Sequence, residues 1–141
     1  MRIIPTRVHG VIDYFLGIIL LYSPWIFNLP GEGIQRSSPV IIGALSIFYS
    51  LITNYEYGME KFLPMRMHLR LDLASGIILA SSPWLFGFHN AIYAPHLILG
   101  CLGIIIAAIS DPIPAGVKHL PGIKQRMPGA KRPSTSKQHA H

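Results

Sequence analysis

The sequence predicts an all-α fold, a polytopic membrane protein whose four transmembrane helices form two helical hairpins repeated in parallel. Three observations predict it. Half of the 141 residues are hydrophobic and 13% are charged, against about 25% charged in an ordinary soluble domain. Four apolar stretches, at about 10–29, 39–54, 69–88 and 91–110, leave the charges to the short segments between them. Finally, residues 5–27 laid on residues 64–86 are identical at 12 of 23 positions without a gap.

A bilayer core about 30 Å thick is crossed by roughly 20 helical residues, which sets the standard for each stretch. The first follows Arg2 and Arg7 as a signal peptide would, but it lacks a small-x-small cleavage site and recurs inside the chain, so it is expected to be retained. The second is the shortest, with Tyr55 and Tyr57 available as an interfacial end. The third repeats the first. The fourth contains Cys101, the single cysteine, which reads as a small packing residue and excludes a disulfide within the chain. None of the four has the charged face of a helix that lies flat on a membrane.

The repeat organises the rest. The identical pairs include Pro5/Pro64, Arg7/Arg66, His9/His68, Asp13/Asp72, Gly17/Gly76, Ser23/Ser82, Pro24/Pro83 and Trp25/Trp84, all 59 residues apart. The second helices match more faintly at a shift of 57, where Gly43 falls on Gly100. Each unit crosses twice, so the second enters from the same side and the two are related by an approximate two-fold axis along the membrane normal. Residues 1–111 form the membrane domain, with repeats at about 5–54 and 64–111. Residues 112–141 form a tail with six basic residues, five prolines and no acidic residue, a composition expected to be disordered.

The pattern His-x3-Asp-x3-Gly-Ile-Ile-Leu-x2-Ser-Pro-Trp, at residues 9–25 and again at 68–84, resembles the SPW repeat family of small bacterial integral membrane proteins. The resemblance covers both repeats and leaves out the tail. It implies a repeat architecture in the bacterial inner (cytoplasmic) membrane and assigns no catalytic residue.

Orientation follows from the basic residues of the loops. Eleven of the twelve Lys and Arg residues fall on one side, and Arg36 alone falls on the other. Both termini are therefore expected in the cytoplasm. The tail can also attract anionic lipid headgroups. Nothing aromatic is interleaved with its charges, so nucleic acid is not an expected partner.

Two constellations could carry chemistry. The first is a polar cluster of Arg7, His9, Asp13, Arg66, His68 and Asp72, in which residues four apart share a helix face. Its leading reading is structural, with each Asp paired to a His or an Arg across the two-fold. Proton or ion handling by the His-Asp pairs is second. A metal site of two His and two Asp is third, because no cysteine or Glu-x2-His signature supports it; no metal and no cofactor is assigned.

The second constellation is the Ser-Pro-Trp motif, at Ser23, Pro24 and Trp25 and at Ser82, Pro83 and Trp84. Each proline frees the carbonyl four residues earlier, Leu20 or Leu79, and is expected to kink a helix that runs on for about a turn. The Ser hydroxyls can cover the opened backbone, and the Trp rings suit the outer interface. Gly17, Gly43, Gly76 and Gly100 read as close-packing positions between helices, and His89 and His96 as interfacial polar groups. The expected function is that of a structural or partner-binding membrane protein, working with lipid, a homo-oligomer or another membrane protein. A small proton or ion transporter is the alternative, and a membrane enzyme comes last.

Overall fold

Each repeat opens on a proline. In the computed structural model, which describes residues 3–54, 56–60 and 62–113, Pro5 (φ −68°, ψ 153°) and Pro64 (φ −62°, ψ 141°) hold extended backbone just before α1 (Thr6–Ile26) and α3 (Met65–Leu85). Their carbonyls accept the amides of His9 and His68 at 3.0 and 3.1 Å, which closes the first turn. The other two helices are α2 (Ile34–Leu51) and α4 (Ala94–Ile109). Among the described residues the fold is all-α.

The helices begin before the apolar stretches in three cases. α1 and α3 start four residues earlier than the stretches at 10–29 and 69–88, and α2 starts five earlier than 39–54. Hydropathy registers side chains, whereas the helix is a backbone property that continues through Arg7, His9, Arg66 and His68. The fourth stretch does the reverse, since Pro95 sits in the first turn of α4 and fixes the start there. Among the described helices, α1 is the one long and apolar enough by itself to cross a membrane. α3 carries Arg66, Arg70 and Asp72 in its first two turns, and α4 has 16 residues.

As expected, each first helix runs on for about a turn past its Ser-Pro-Trp serine. α1 stops two residues after Pro24 and α3 two after Pro83. The hydroxyls of Ser23 and Ser82 donate to the freed carbonyls of Leu20 and Leu79 at 2.8 and 2.7 Å. Termination comes from the next positions, where Asn28 (φ 47°) and Gly87 (φ 73°) take the left-handed conformation that closes a helix. These two are also 59 residues apart.

Within each repeat the hairpin closes on a glycine pair. A Cβ on Gly43 would lie 2.8 Å from the Gly17 carbonyl oxygen, and one on Gly100 would lie 2.7 Å from that of Gly76. No larger residue allows α1 on α2, or α3 on α4, to pack this closely. Between repeats, Leu20, Leu79 and Leu99 form a small apolar core with Leu16, Ile19 and Ile42 against it.

Parallel backbone pairings, Ile4 with Ser110 and Thr53 with Leu63, tie the start of each repeat's first helix to the end of the other repeat's second helix. The starts of α1 and α3 and the ends of α2 and α4 thus gather at one end of the bundle. Polarity is inverted relative to a water-soluble bundle. Among the described residues, nine hydrophobic residues are buried against twelve polar ones, while Phe15 (67% exposed), Phe48 (60%), Ile98 (63%) and Ile105 (55%) face outward. Cys101, read as a packing residue, also faces outward.

Candidate functional site

The gathered helix ends bring together four side chains. On α1, His9 and Asp13 lie one turn apart on the buried face, and on α3 His68 and Asp72 repeat the arrangement. Both His are fully buried, and Asp13 and Asp72 are 5% and 8% exposed. The pairing is crossed as well as local. His68 Nε2 lies 2.6 Å from Asp13 Oδ2 and 3.1 Å from Asp72 Oδ2. His9 Nε2 lies 3.2 Å from Asp72 Oδ2 and 3.3 Å from Asp13 Oδ2. The two Nε2 atoms are 3.3 Å apart, with the rings edge to face.

The other face of each imidazole is fixed by a hydroxyl from the opposite repeat. His68 Nδ1 lies 2.9 Å from Thr53 Oγ1, and His9 Nδ1 lies 2.8 Å from Ser110 Oγ. Each hydroxyl is also 2.6 Å from a backbone carbonyl one turn earlier in its own helix, that of Tyr49 or Ile106. A carbonyl cannot donate, so the single hydroxyl proton is committed to it. The hydroxyl oxygen is then an acceptor toward the ring, and Nδ1 carries the proton. Both Nε2 atoms are left facing each other and two carboxylates, so the centre is held by protons shared between rings and carboxyl groups or by one shared cation.

The carboxylates are positioned too, but not symmetrically. Tyr49 Oη donates to Asp72 Oδ1 at 2.6 Å, and Ser50 Oγ to Asp13 Oδ2 at 3.3 Å. At the shift of 57 the counterparts of Tyr49 and Ser50 are Ile106 and Ala107, so the first repeat supplies both donors. A cavity of about 30 Å³ reaches His9, Asp13, Tyr49 and Asp72 and continues to Leu79 and Leu99. It has room for a water or two.

The structure does not bring Arg7 and Arg66 into this cluster. Both are exposed, because residues two apart point to opposite sides of a helix at about 100° per residue. Ser23, Pro24, Ser82 and Pro83 are buried at the other end, 14 residues or about 21 Å along the helix from the His residues. Trp25 and Trp84 stand outward there, 68% and 52% exposed, with the Arg36 guanidinium 5.8 Å over the Trp25 ring.

His96, expected at the interface, is 1% exposed. Its Nε2 donates at 2.9 Å to the Gln35 carbonyl, the one that Pro39 leaves open four residues later in α2. His89 is exposed. The basic tail beyond residue 113, with His119, His139 and His141, lies outside the described residues, as do Arg2, Tyr55 and Lys61.

Sequence reasoning missed Thr53, Ser110, Tyr49 and Ser50. The first two had a signal, since the shift that pairs Gly43 with Gly100 also places one hydroxyl on the other. Tyr49 and Ser50 had none, because they have no polar counterpart in the second repeat.

The chain matches the family model of the SPW repeat domain over residues 7–110. No curated protein and no solved structure matches it. The matched span runs from the turn that carries His9 to Ser110, which holds the ring of His9, and so encloses both hairpins and the whole buried cluster. The chain belongs to the SPW repeat family.

Proposed function

We propose that this chain is an integral protein of the bacterial inner membrane that crosses four times with both termini in the cytoplasm. Its role is structural or partner-binding, and the buried His and Asp residues fasten its two hairpins. The observation that carries this reading is the inverted polarity. Ten or more hydroxyl, imidazole and carboxyl side chains are buried, while aromatic and branched aliphatic residues cover the outside. Burying polar groups at the expense of apolar ones is unfavourable in water, where apolar burial drives folding. In lipid the outside is already solvated, and interhelical hydrogen bonds with small-residue contacts hold the bundle instead.

Dimensions agree with this reading. Helices of 16 to 21 residues rise about 24 to 32 Å, the span of a hydrocarbon core. The charged turns of α1 and α3 fall at the cytoplasmic interface, where Arg7, Arg66 and Arg70 reach water or lipid phosphate. The basic tail would add contacts with anionic headgroups. A route for protons or ions has less support, since the cavity at Asp13 and Asp72 is about 30 Å³ and each Asp is already paired to a His.

Substitution of both Asp13 and Asp72 by Asn tests this. Breaking a buried, hydrogen-bonded pair costs about 3 to 5 kcal/mol, so the double variant is expected not to accumulate in the membrane or to run as unfolded protein in detergent. A double variant that assembles normally and loses a proton or ion flux shown by the wild type in vesicles would sink the structural reading in favour of transport.

A further inference from the structure

We infer that His9, Asp13, His68 and Asp72 form a tetrahedral site for one divalent first-row transition ion, Zn²⁺ foremost, held on the pseudo-two-fold axis between the repeats. This deepens the fastening role proposed above and rests on it. The four ligating atoms all lie within 4.8 Å of one another. Bonds of about 2.0 to 2.1 Å to His nitrogen and Asp oxygen put tetrahedral ligand atoms about 3.3 Å apart. Four of the separations, 3.1, 3.2, 3.3 and 3.3 Å, already have that length. The fifth, His68 to Asp13 at 2.6 Å, opens by about 0.7 Å, and the sixth, between the two carboxylate oxygens and within 4.8 Å, closes toward about 3.3 Å as the ion is received.

The proton inventory points the same way. Thr53 and Ser110 hold each Nδ1–H through hydroxyls whose own protons are spent on carbonyls, so both Nε2 atoms face the centre and can offer it a lone pair. Two protons there would place two imidazolium N–H groups 3.3 Å apart, each donating to a carboxylate. One cation satisfies both lone pairs at once. It also makes the site neutral with two carboxylates, which suits burial.

Hydrogen bonds behind the ligands are those of a built metal site, where ligating His residues are oriented through the far nitrogen and carboxylates through a second oxygen. Tyr49 on Asp72 Oδ1 is such a bond. Two imidazoles among four ligands select a transition ion over Mg²⁺ or Ca²⁺, which take six or more oxygens.

The test uses the full chain, purified in detergent without a polyhistidine tag, stripped with a chelator and titrated with Co²⁺ and then Zn²⁺. One equivalent of Co²⁺ per chain is expected, with the visible absorption of a tetrahedral ion, displaced by Zn²⁺ and retained when His119, His139 and His141 are replaced by Ala. His9→Gln with His68→Gln should abolish it. Thr53→Val and Ser110→Ala leave all four ligands in place and should each weaken binding by about 10- to 100-fold.

The inference is overturned if the wild type shows no stoichiometric tetrahedral Co²⁺ signal, or if that signal survives the double His substitution. Should the His variants fail to fold, unchanged affinity in both Thr53→Val and Ser110→Ala overturns it instead. Absent metal together with loss of assembly in the Asp13→Asn, Asp72→Asn variant would refute the metal and leave the fastening role standing. Bound metal in the wild type with a fully stable double Asn variant would uphold the site and refute the fastening.

Discussion

Gly100→Ala should weaken the bundle although it adds a single methyl group to a helix. A Cβ there would lie 2.5 Å from the Ala80 amide nitrogen, 2.7 Å from the Gly76 carbonyl oxygen and 2.8 Å from Ala80 Cα, all backbone atoms of α3. Ordinary contact begins near 3.4 Å, so α3 and α4 must part by about 0.9 Å, because no side chain can turn aside. Overpacking of this kind costs about 1 to 3 kcal/mol, and replacing a helical glycine returns about 0.8 to 1.0 kcal/mol. The net expectation is a loss of about 0 to 2 kcal/mol.

Gly103→Ala, one turn along the same helix, is the control. Its nearest neighbours are Gly76 Cα and Leu16 Cδ2 at 4.0 Å, so it should be neutral or up to about 1 kcal/mol more stable. Reversible unfolding in mixed micelles of graded denaturing detergent, followed by the fluorescence of Trp25 and Trp84, measures both. Equal stabilities, or a more stable Gly100→Ala, would refute the claim that backbone contact sets the hairpin spacing.

Three further outcomes follow from the same geometry. Tyr49→Phe removes the donor to Asp72 Oδ1 without changing the shape of the ring, and should cost about 1 to 2 kcal/mol in the same unfolding assay. His96→Phe leaves the Gln35 carbonyl unpaired and should cost about 1 to 3 kcal/mol, but less in a Pro39→Ala background, where residue 39 regains an N–H for that carbonyl. A double-mutant cycle showing no coupling between positions 39 and 96 would contradict this account. Arg7→Gln and Arg66→Gln, both on exposed faces, should change stability by less than about 0.5 kcal/mol, and a large loss would place them in the cluster after all.

Most of this architecture is legible along the chain because repeated sequence produces repeated local structure. The 59-residue shift marks both proline starts and both Ser-Pro-Trp motifs, and the structure adds the left-handed Asn28 and Gly87 at the same spacing. Glycine at matching positions foretells close packing, though not that Gly17 meets Gly43 and Gly76 meets Gly100. Helix ends were less legible. The apolar stretches start late on α1 and α3 because their first turns are polar yet helical, and they run past the helix ends because apolar residues continue beyond the position that terminates each helix.

The sequence by itself determined that four helices form two like hairpins, and that each first helix has a His-Asp pair at one end and a Ser-Pro-Trp motif at the other. These are consequences of spacing, since positions four apart share a face whatever else the chain does. Only the tertiary structure decided which side chains meet. The two His-Asp pairs face one another rather than outward, and Arg7 and Arg66 turn away. Thr53 and Ser110 reach across to the opposite repeat's imidazole because the helix ends pair between repeats through Ile4, Ser110, Thr53 and Leu63. Contacts between residues 15 to 101 positions apart depend on how the hairpins dock, and no local pattern encodes that docking.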